Sequence, residues 1–129
     1  MILIDTSAWA EFLRGTGSPA CERVDALLGT VTATCDAVRM EVLAGARDEA
    51  HLSDLRGLLA RSSVIPIRPA DYDQAAALYR ACRHKGETVR KLIDCLIAAV
   101  AIRASVPVLH SDGDFAVLAR HTSLELDLP

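Results

Sequence analysis

Aromatic residues are scarce in this sequence: Phe, Trp and Tyr make up 4% of its 129 residues, although 51% are hydrophobic. Long hydrophobic runs are absent as well, since the longest, residues 95–102, has eight residues, far fewer than the roughly 20 that a membrane-spanning helix needs. The apolar content is nevertheless too high for a disordered chain. We therefore expect one globular domain over residues 1–129, with no membrane association.

Cysteine is sparse, and its four positions, at residues 21, 35, 82 and 95, show no C-x-x-C spacing. This excludes a zinc knuckle and a thioredoxin-like redox motif, and it favours reduced, mostly buried thiols. The opening residues M-I-L-I-D also lack the basic region of a secretory signal. Both features favour a cytoplasmic protein.

An excess of positive charge is missing too, because 17 acidic residues against 14 Lys and Arg give a formal net charge of −3. Such a balance argues against a protein that coats nucleic acid through bulk positive charge. The glycine-rich loops G-x-G-x-x-G and G-x-x-x-x-G-K-[ST], which cradle nucleotide phosphates, are absent. A nucleotide-binding enzyme of either kind is therefore not indicated.

What is present is an alternation of short apolar runs and helical patterns. We predict strands at residues 1–4, 30–35, 63–67 and 106–109, a last short strand at 123–127, and helices between them, including one that Thr88 caps and that runs to about Ala104. Pro66 places the third strand at a sheet edge. This order predicts an α/β fold, a three-layer α/β/α sandwich with a central, mostly parallel sheet.

Acidic side chains follow two of the predicted strands. Asp5 ends the first strand, and Asp112 and Asp114 come just after the strand at 106–109. Ligands of open parallel sheets gather at the carboxyl ends of the strands. If these two strands are neighbours, all three carboxylates face one crevice.

Two further acids interrupt apolar helical segments. Asp94 lies in the run L-I-D-C-L-I-A-A-V, which is apolar on nearly every helical face, and Glu41 lies between Met40 and Val42. A buried carboxylate costs several kcal/mol unless it is paired or bound to a cation. The environment of Asp94 must therefore contain a compensating group.

Each of these acids also has a purely structural interpretation. The alternatives are a helix cap for Asp5, an ion pair with Arg90 for Asp94, a salt bridge to Arg39 or Arg47 for Glu41, and a turn for Asp112 and Asp114. One shared explanation is simpler than four independent ones. A cluster of carboxylates without Cys or His ligands favours a hard cation, Mg²⁺ or Mn²⁺, over zinc.

The same blocks carry a family resemblance. The opening I-L-I-D-T-S-A-W, M-E-V-L-A-G at 40–45, I-D-C-L-I-A-A-V-A around Asp94 and the final V-L-H-S-D-G-D-F resemble, in order and over essentially the whole chain, the PIN-domain ribonucleases. The likeness is closest to the VapC-type toxins of bacterial toxin–antitoxin pairs. One departure is His110-Ser111, where many relatives carry Thr before the first Asp; Ser keeps the hydroxyl.

The resemblance implies an endoribonuclease that depends on Mg²⁺, with Mn²⁺ as a substitute. Its acidic quartet would be Asp5, Glu41, Asp94 and Asp112, with Asp114 as a fifth acid. Asp5 and Asp94 would hold the metal directly. The other acids would bind through water or hold a second ion, and the resemblance leaves open whether Asp112 or Asp114 touches the metal.

The resemblance also implies partners: an RNA substrate, with transfer RNA as the family expectation, a cognate VapB-type antitoxin, a homodimer and a toxin–antitoxin hetero-oligomer. Supporting hydrogen bonds to the carboxylates are expected from Thr6, Ser7 and Ser111. Residues 80–91 carry five basic side chains and one acid, so RNA contacts are expected in this segment. The side chains expected to contact RNA are Arg83, Lys85, Arg90 and Lys91.

Two other classes of protein share part of this pattern. A haloacid-dehalogenase-like phosphatase requires D-x-D where this chain has Asp5-Thr6-Ser7. A non-catalytic, PIN-like module that binds RNA or antitoxin remains the alternative hypothesis, although it would leave the buried charge of Asp94 without a function.

Overall fold

A computed structural model describes residues 1–128 of the chain. Strands and helices alternate along most of the sequence, as the apolar pattern predicts. Their bounds are β1 (Ile2–Ile4), α1 (Thr6–Arg14), α2 (Pro19–Leu27), β2 (Thr32–Thr34), α3 (Asp36–Ala44), α4 (Glu49–Leu59), β3 (Ser63–Val64), α5 (Pro69–His84), α6 (Leu92–Ala104), β4 (Val108–Leu109) and α7 (Gly113–His121). No helix of residues 1–128 is long and apolar enough to cross a membrane.

The four strands form one parallel sheet in the order β3-β2-β1-β4. Leu3 on β1 pairs with Ala33 on one side and with Val108 on the other. Leu3 and its neighbour Ile4 are both fully buried, and successive side chains of a strand point to opposite faces. Helices therefore cover both faces of the sheet, and the predicted three-layer α/β class is confirmed.

Helix α6 lies at the centre of the molecule. Cys95 and every residue from Ile97 to Ala101 are at most 1% exposed, because small and branched side chains on all faces let α6 pack closely against its neighbours. All four cysteines are free thiols; three are buried and Cys21 is partly exposed. The prediction of unpaired, mostly buried thiols is confirmed for these side chains.

Several predicted element bounds were wrong, and the strands predicted at 30–35 and 106–109 are shorter, at Thr32–Thr34 and Val108–Leu109. Helix α6 begins at Leu92 and is not capped by Thr88, because the backbone N–H groups of Arg90 and Lys91 bond to Asp114 instead of entering a helix. The predicted strand at 123–127 is reduced to a single bridge between Val108 and Leu126. The third strand covers only Ser63–Val64, but it lies at the sheet edge as predicted.

Candidate active site

The first acid, Asp5, stands where β1 ends and α1 begins. Its Oδ2 caps α1 by accepting hydrogen bonds from the Ser7 backbone N–H at 2.9 Å and the Ser7 hydroxyl at 2.6 Å. Its Oδ1 is buried and has no hydrogen-bond partner. Burial raises the pKa of Asp5, and the charge of Glu41 adds to the rise. Asp5 is therefore a helix cap, as the structural alternative predicted, and one of its oxygens is still uncommitted.

Asp94, in the first turn of α6, is 1% exposed. Burial, above all, raises its pKa to about 8, and contact with Asp114 and the charge of Asp5 contribute. Its Oδ2 is buried without a hydrogen-bond partner, and the Lys91 Nζ lies 3.7 Å away. The alternative pairing with Arg90 is wrong, because the Arg90 guanidinium binds Asp112 and Asp114 instead. The buried acid is thus only weakly compensated by the protein.

Asp112 caps α7 at the end of the loop that follows β4. Its Oδ1 accepts hydrogen bonds from the Asp114 backbone N–H and the Arg90 Nη2, both at 2.9 Å, and its Oδ2 lies 2.8 Å from the Lys91 Nζ. Burial acts to raise the pKa of Asp112, but the bonds from Lys91 and the Asp114 amide outweigh it, so the pKa is lowered. Asp112 is therefore held as a carboxylate.

Asp114 is buried, and both of its carboxylate oxygens accept hydrogen bonds from the segment that precedes α6. Its Oδ1 accepts the Arg90 backbone N–H at 3.0 Å and the Arg90 Nε at 3.3 Å, while its Oδ2 accepts the Lys91 backbone N–H at 3.0 Å. These bonds, chiefly that from the Arg90 backbone, outweigh burial and lower the pKa of Asp114. Asp114 thereby fixes the backbone from which Arg90 and Lys91 extend.

The fold brings three of the predicted acids into one cluster. Asp94, Asp112 and Asp114 each offer a carboxylate oxygen, and these oxygens all lie within 4.8 Å of one another. Asp5 is outside this trio, but it is close enough for its charge to raise the pKa of Asp94. The prediction that Asp5 and Asp112 face one crevice agrees with the pairing of β1 with β4.

Glu41 is half-buried on α3 and is joined to α1 by a hydrogen bond of 2.8 Å from the Thr6 hydroxyl. Among residues 1–128 it forms no ion pair with Arg39 or Arg47, the partners that the structural alternative required. Its charge acts on the neighbouring Asp5, whose pKa it helps to raise. Glu41 thus lies beside the acidic cluster.

Two of the three predicted supporting residues bond directly to acids of the site. Thr6 donates to Glu41 and Ser7 donates to Asp5. Ser111 contacts Asp5 only through Ser7, because its backbone N–H donates to the Ser7 Oγ at 2.9 Å. The Ser111 hydroxyl donates to Glu11 at 3.3 Å. Glu11 was not predicted, because its position on α1 shows no pattern that would link it to a residue 100 positions away.

The four basic residues predicted to contact RNA divide into two pairs. Arg90 and Lys91 contact the site carboxylates, and these contacts raise the pKa of both side chains. Arg83 and Lys85 lie instead in a cavity of about 680 Å³ at the end of α5. That cavity, which we call the basic cavity, is lined by Ala77, Arg80, Ala81, Arg83, His84, Lys85 and His121.

Comparisons with known proteins show the family to which this chain belongs. The PIN domain family model matches residues 2–121. The VapC ribonuclease Mb1587 of Mycobacterium bovis and the ribonuclease VapC11 of Mycobacterium tuberculosis are each 46% identical to this chain over 97% of its length and 96% of theirs.

Solved structures share the fold at lower identity. The VapBC2 complex of Rickettsia felis, bound to a DNA fragment from its promoter, contains a chain with a TM-score of 0.78 and 20% identity, and coverage is 98% of both chains. The toxin VapC20 of Mycobacterium tuberculosis has a TM-score of 0.70 and 19% identity, over 97% of this chain and 99% of its own. By its family match and its full-length relatives, the chain belongs to the PIN-domain family and, within it, to the VapC ribonucleases.

Proposed function

We propose that this protein is a Mg²⁺-dependent endoribonuclease, the toxin of a toxin–antitoxin pair. One observation carries the proposal: Asp5 Oδ1 and Asp94 Oδ2 are buried carboxylate oxygens without a hydrogen-bond partner. Leaving such atoms unsatisfied is costly in a stable fold. A hard divalent cation, which prefers carboxylate oxygen, would satisfy both of them.

The chemistry of the available donors suits such a cation, because all of them are carboxylate oxygens. The oxygens that remain available are Asp5 Oδ1, Asp94 Oδ2 and Asp112 Oδ2, the last of which contacts only the half-exposed Lys91 among the described residues. Asp114 has both oxygens bonded to N–H groups. We therefore assign Asp5, Asp94 and Asp112 as direct ligands, whereas Asp114, predicted as a fourth ligand, acts mainly by positioning Arg90 and Lys91.

The chain's own residues prepare the site for phosphodiester hydrolysis. Ser7 fixes Asp5 in one orientation, and Asp112 is held by Arg90 and the start of α7. When bound, Mg²⁺ supplies a water of lowered pKa and neutralises charge on the phosphodiester. Glu41, half-buried and bonded to Thr6, is placed to accept a proton or to orient water at the edge of the cluster. No protein nucleophile is required.

The first test of this proposal is cleavage of a mixed RNA pool by the purified protein, with Mg²⁺ or with EDTA. We expect cleavage only with Mg²⁺, and products with 5′-phosphate and 3′-hydroxyl ends. An Asp5→Asn variant, which keeps the helix cap but loses the charge, should be at least roughly 100-fold slower. Equal rates for the wild type and this variant would refute the mechanism, and a folded wild type without any activity would favour the non-catalytic module.

The RNA backbone is proposed to bind the basic cavity. Arg80, Arg83 and Lys85 line it together with two histidines, and its described lining includes no acid. Arg83 lies over the Tyr79 ring at 5.6 Å, which holds the guanidinium in place. The six residues after Lys85 lead to Lys91 at the acidic cluster, so one short segment connects the basic cavity with the proposed metal site.

Removing one charge from the basic cavity should weaken RNA binding without changing the chemistry. We expect Arg83→Gln to raise KM roughly fivefold, to leave kcat nearly unchanged and to reduce the salt dependence of binding by about one phosphate contact. The measurements are cleavage kinetics and RNA binding over a range of KCl concentrations. Arg56→Gln, an exposed residue on α4 outside the cavity, is the matched control; an equal effect of both variants would argue against a specific contact.

A groove beside Glu41 is the candidate binding site for the proposed antitoxin partner. A cavity of about 440 Å³ between α1, α3 and α4 is lined by Trp9, Leu13, Val42 and Leu55 together with Glu41. Trp9, which is 2% exposed, forms part of the floor of this groove. A peptide in this groove would contact Glu41, which lies beside the acidic cluster, and such a position suits an inhibitor.

A further inference from the structure

The proposed metal site contains a cation that belongs to the protein. Lys91 is the residue immediately before α6, and its ammonium lies 2.8 Å from Asp112 Oδ2 and 3.7 Å from Asp94 Oδ2. Asp94 Oδ2 and Asp112 Oδ2 are two of the three oxygens assigned above to the divalent cation. An oxygen that bonds to an ammonium group at 2.8 Å has no room for a metal ion on the same side, so the two cations must share or exchange these ligands.

The backbone of Lys91 is fixed by a hydrogen bond, whereas its side chain is half exposed. Asp114 accepts the backbone N–H groups of both Arg90 and Lys91, and the Arg90 guanidinium is bonded to Asp112 and Asp114. The Lys91 side chain is 50% exposed, against 2% for its partner Asp94. A flexible, hydrated ammonium on a fixed backbone can leave the cluster for solvent without any change in the fold.

The negative charge of the acidic cluster explains why a positively charged side chain such as Lys91 stabilises it. Asp94, Asp112 and Asp114 concentrate three carboxyl groups at the start of α6, and Asp5 lies close enough to act on Asp94. Arg90 cannot leave easily, because it bonds to two of these acids at once. Lys91 makes one short contact and is therefore the cation that exchanges at lowest cost.

We propose that Lys91 is a built-in counter-ion of the active site, which competes with the divalent cation for Asp112 and Asp94 and so sets the metal concentration at which the site is loaded. This inference rests on the proposed metal-dependent function. It makes Lys91 a positioning residue whose ammonium stabilises the cluster until a divalent cation displaces it.

The test is Mn²⁺ binding to Lys91→Met, measured by titration calorimetry and by the paramagnetic resonance signal of free Mn²⁺, without RNA. Methionine keeps much of the side-chain volume and removes the charge. We expect Mn²⁺ to bind the variant roughly tenfold more tightly than the wild type, because the competing ammonium is gone. In EDTA the variant should melt at a lower temperature than the wild type, and saturating Mn²⁺ should remove this difference.

Lys85→Met is the matched control, since it removes the same charge from the same segment but lies in the basic cavity. It should change Mn²⁺ affinity less than twofold. Equal or weaker Mn²⁺ binding by Lys91→Met, or equal gains in both variants, would overturn the proposal. If Lys91→Met unfolds in EDTA, Lys91→Gln is measured in its place. RNA cleavage by the wild type is scored separately, so failure of the ribonuclease proposal is distinguishable from failure of this one.

Discussion

Replacing Asp94 with asparagine is expected to abolish RNA cleavage and to stabilise the fold in the same step. The variant loses a charged oxygen of the proposed metal site, so cleavage should slow by roughly a thousandfold. It also loses a carboxylate that is 1% exposed and has an oxygen without a hydrogen-bond partner. In EDTA, where no divalent cation compensates that charge, asparagine should therefore be the more stable residue.

The pH dependence follows from the direction of the pKa shift. Burial raises the pKa of Asp94 from 3.8 to about 8, so the folded protein holds a proton there that the unfolded chain releases near pH 4. The stability from this proton is fully present below pH 4 and is lost as the pH rises to about 8. In EDTA at pH 9, the free energy of unfolding of Asp94→Asn should exceed that of the wild type by on the order of several kcal/mol. This difference should shrink towards pH 5.

Urea unfolding in EDTA at pH 5, 7 and 9, together with the cleavage rate in Mg²⁺, checks both parts. Asp54→Asn, an exposed acid on α4, is the control and should change neither property. Mg²⁺ should stabilise the wild type and leave Asp94→Asn almost unaffected. An Asp94→Asn variant that cleaves RNA at the wild-type rate, or that is less stable than the wild type at pH 9, would contradict the assignment.

The positions of Asp5, Asp94 and Asp112 were predictable because each depends on a strong local signal. Asp5 follows a short apolar strand, and the alternation of strands and helices requires parallel pairing, which places strand ends on one edge of the sheet. Asp94 interrupts a helical segment that is apolar on nearly every face, so its burial follows from the pattern alone. The neighbouring positions of β1 and β4, on which the crevice depends, needed the structure.

The roles of Arg90 and Lys91 were not predictable from spacing. Arg90 precedes Asp94 by four residues, which would place the two on one face of a continuous helix. That helix begins only at Leu92, because Asp114, more than 20 residues further along the chain, takes the backbone N–H groups of residues 90 and 91. A contact between distant segments thus decided a local structure, and it places two largely exposed basic side chains in contact with the acids.

A second buried aspartate has the opposite relation to stability. Asp71, in the first turn of α5, accepts hydrogen bonds from the Arg103 Nε at 2.9 Å and Nη2 at 3.0 Å, and from the Arg68 backbone N–H at 2.8 Å. It therefore caps α5 and joins it to the last turn of α6. The Arg103 hydrogen bond, above all, lowers the pKa of Asp71, so here the protein stabilises the charged form.

We expect Asp71→Ala to destabilise the fold by about 3 kcal/mol at pH 7, because it removes a cap and leaves the Arg103 guanidinium without its carboxylate partner. Cleavage by the folded fraction should be unchanged, since Asp71 belongs to none of the contacts of the acidic cluster. Urea unfolding and cleavage at a temperature well below the melting transition measure the two effects. Asp73→Ala, two residues further along and exposed, should lose less than about 0.5 kcal/mol.

The two aspartates also differ in the pH range over which they act. A lowered pKa means that the stability from Asp71 is present above its ordinary value of 3.8 and is lost as the pH falls through its folded value. The difference between the wild type and Asp71→Ala should therefore shrink in acid, whereas that between the wild type and Asp94→Asn grows in base. If both substitutions changed the free energy of unfolding in the same direction at pH 9, the distinction between a structural carboxylate and a metal-binding one would be wrong. Changes in opposite directions would show that this fold compensates one buried charge with an arginine and leaves the other for a ligand.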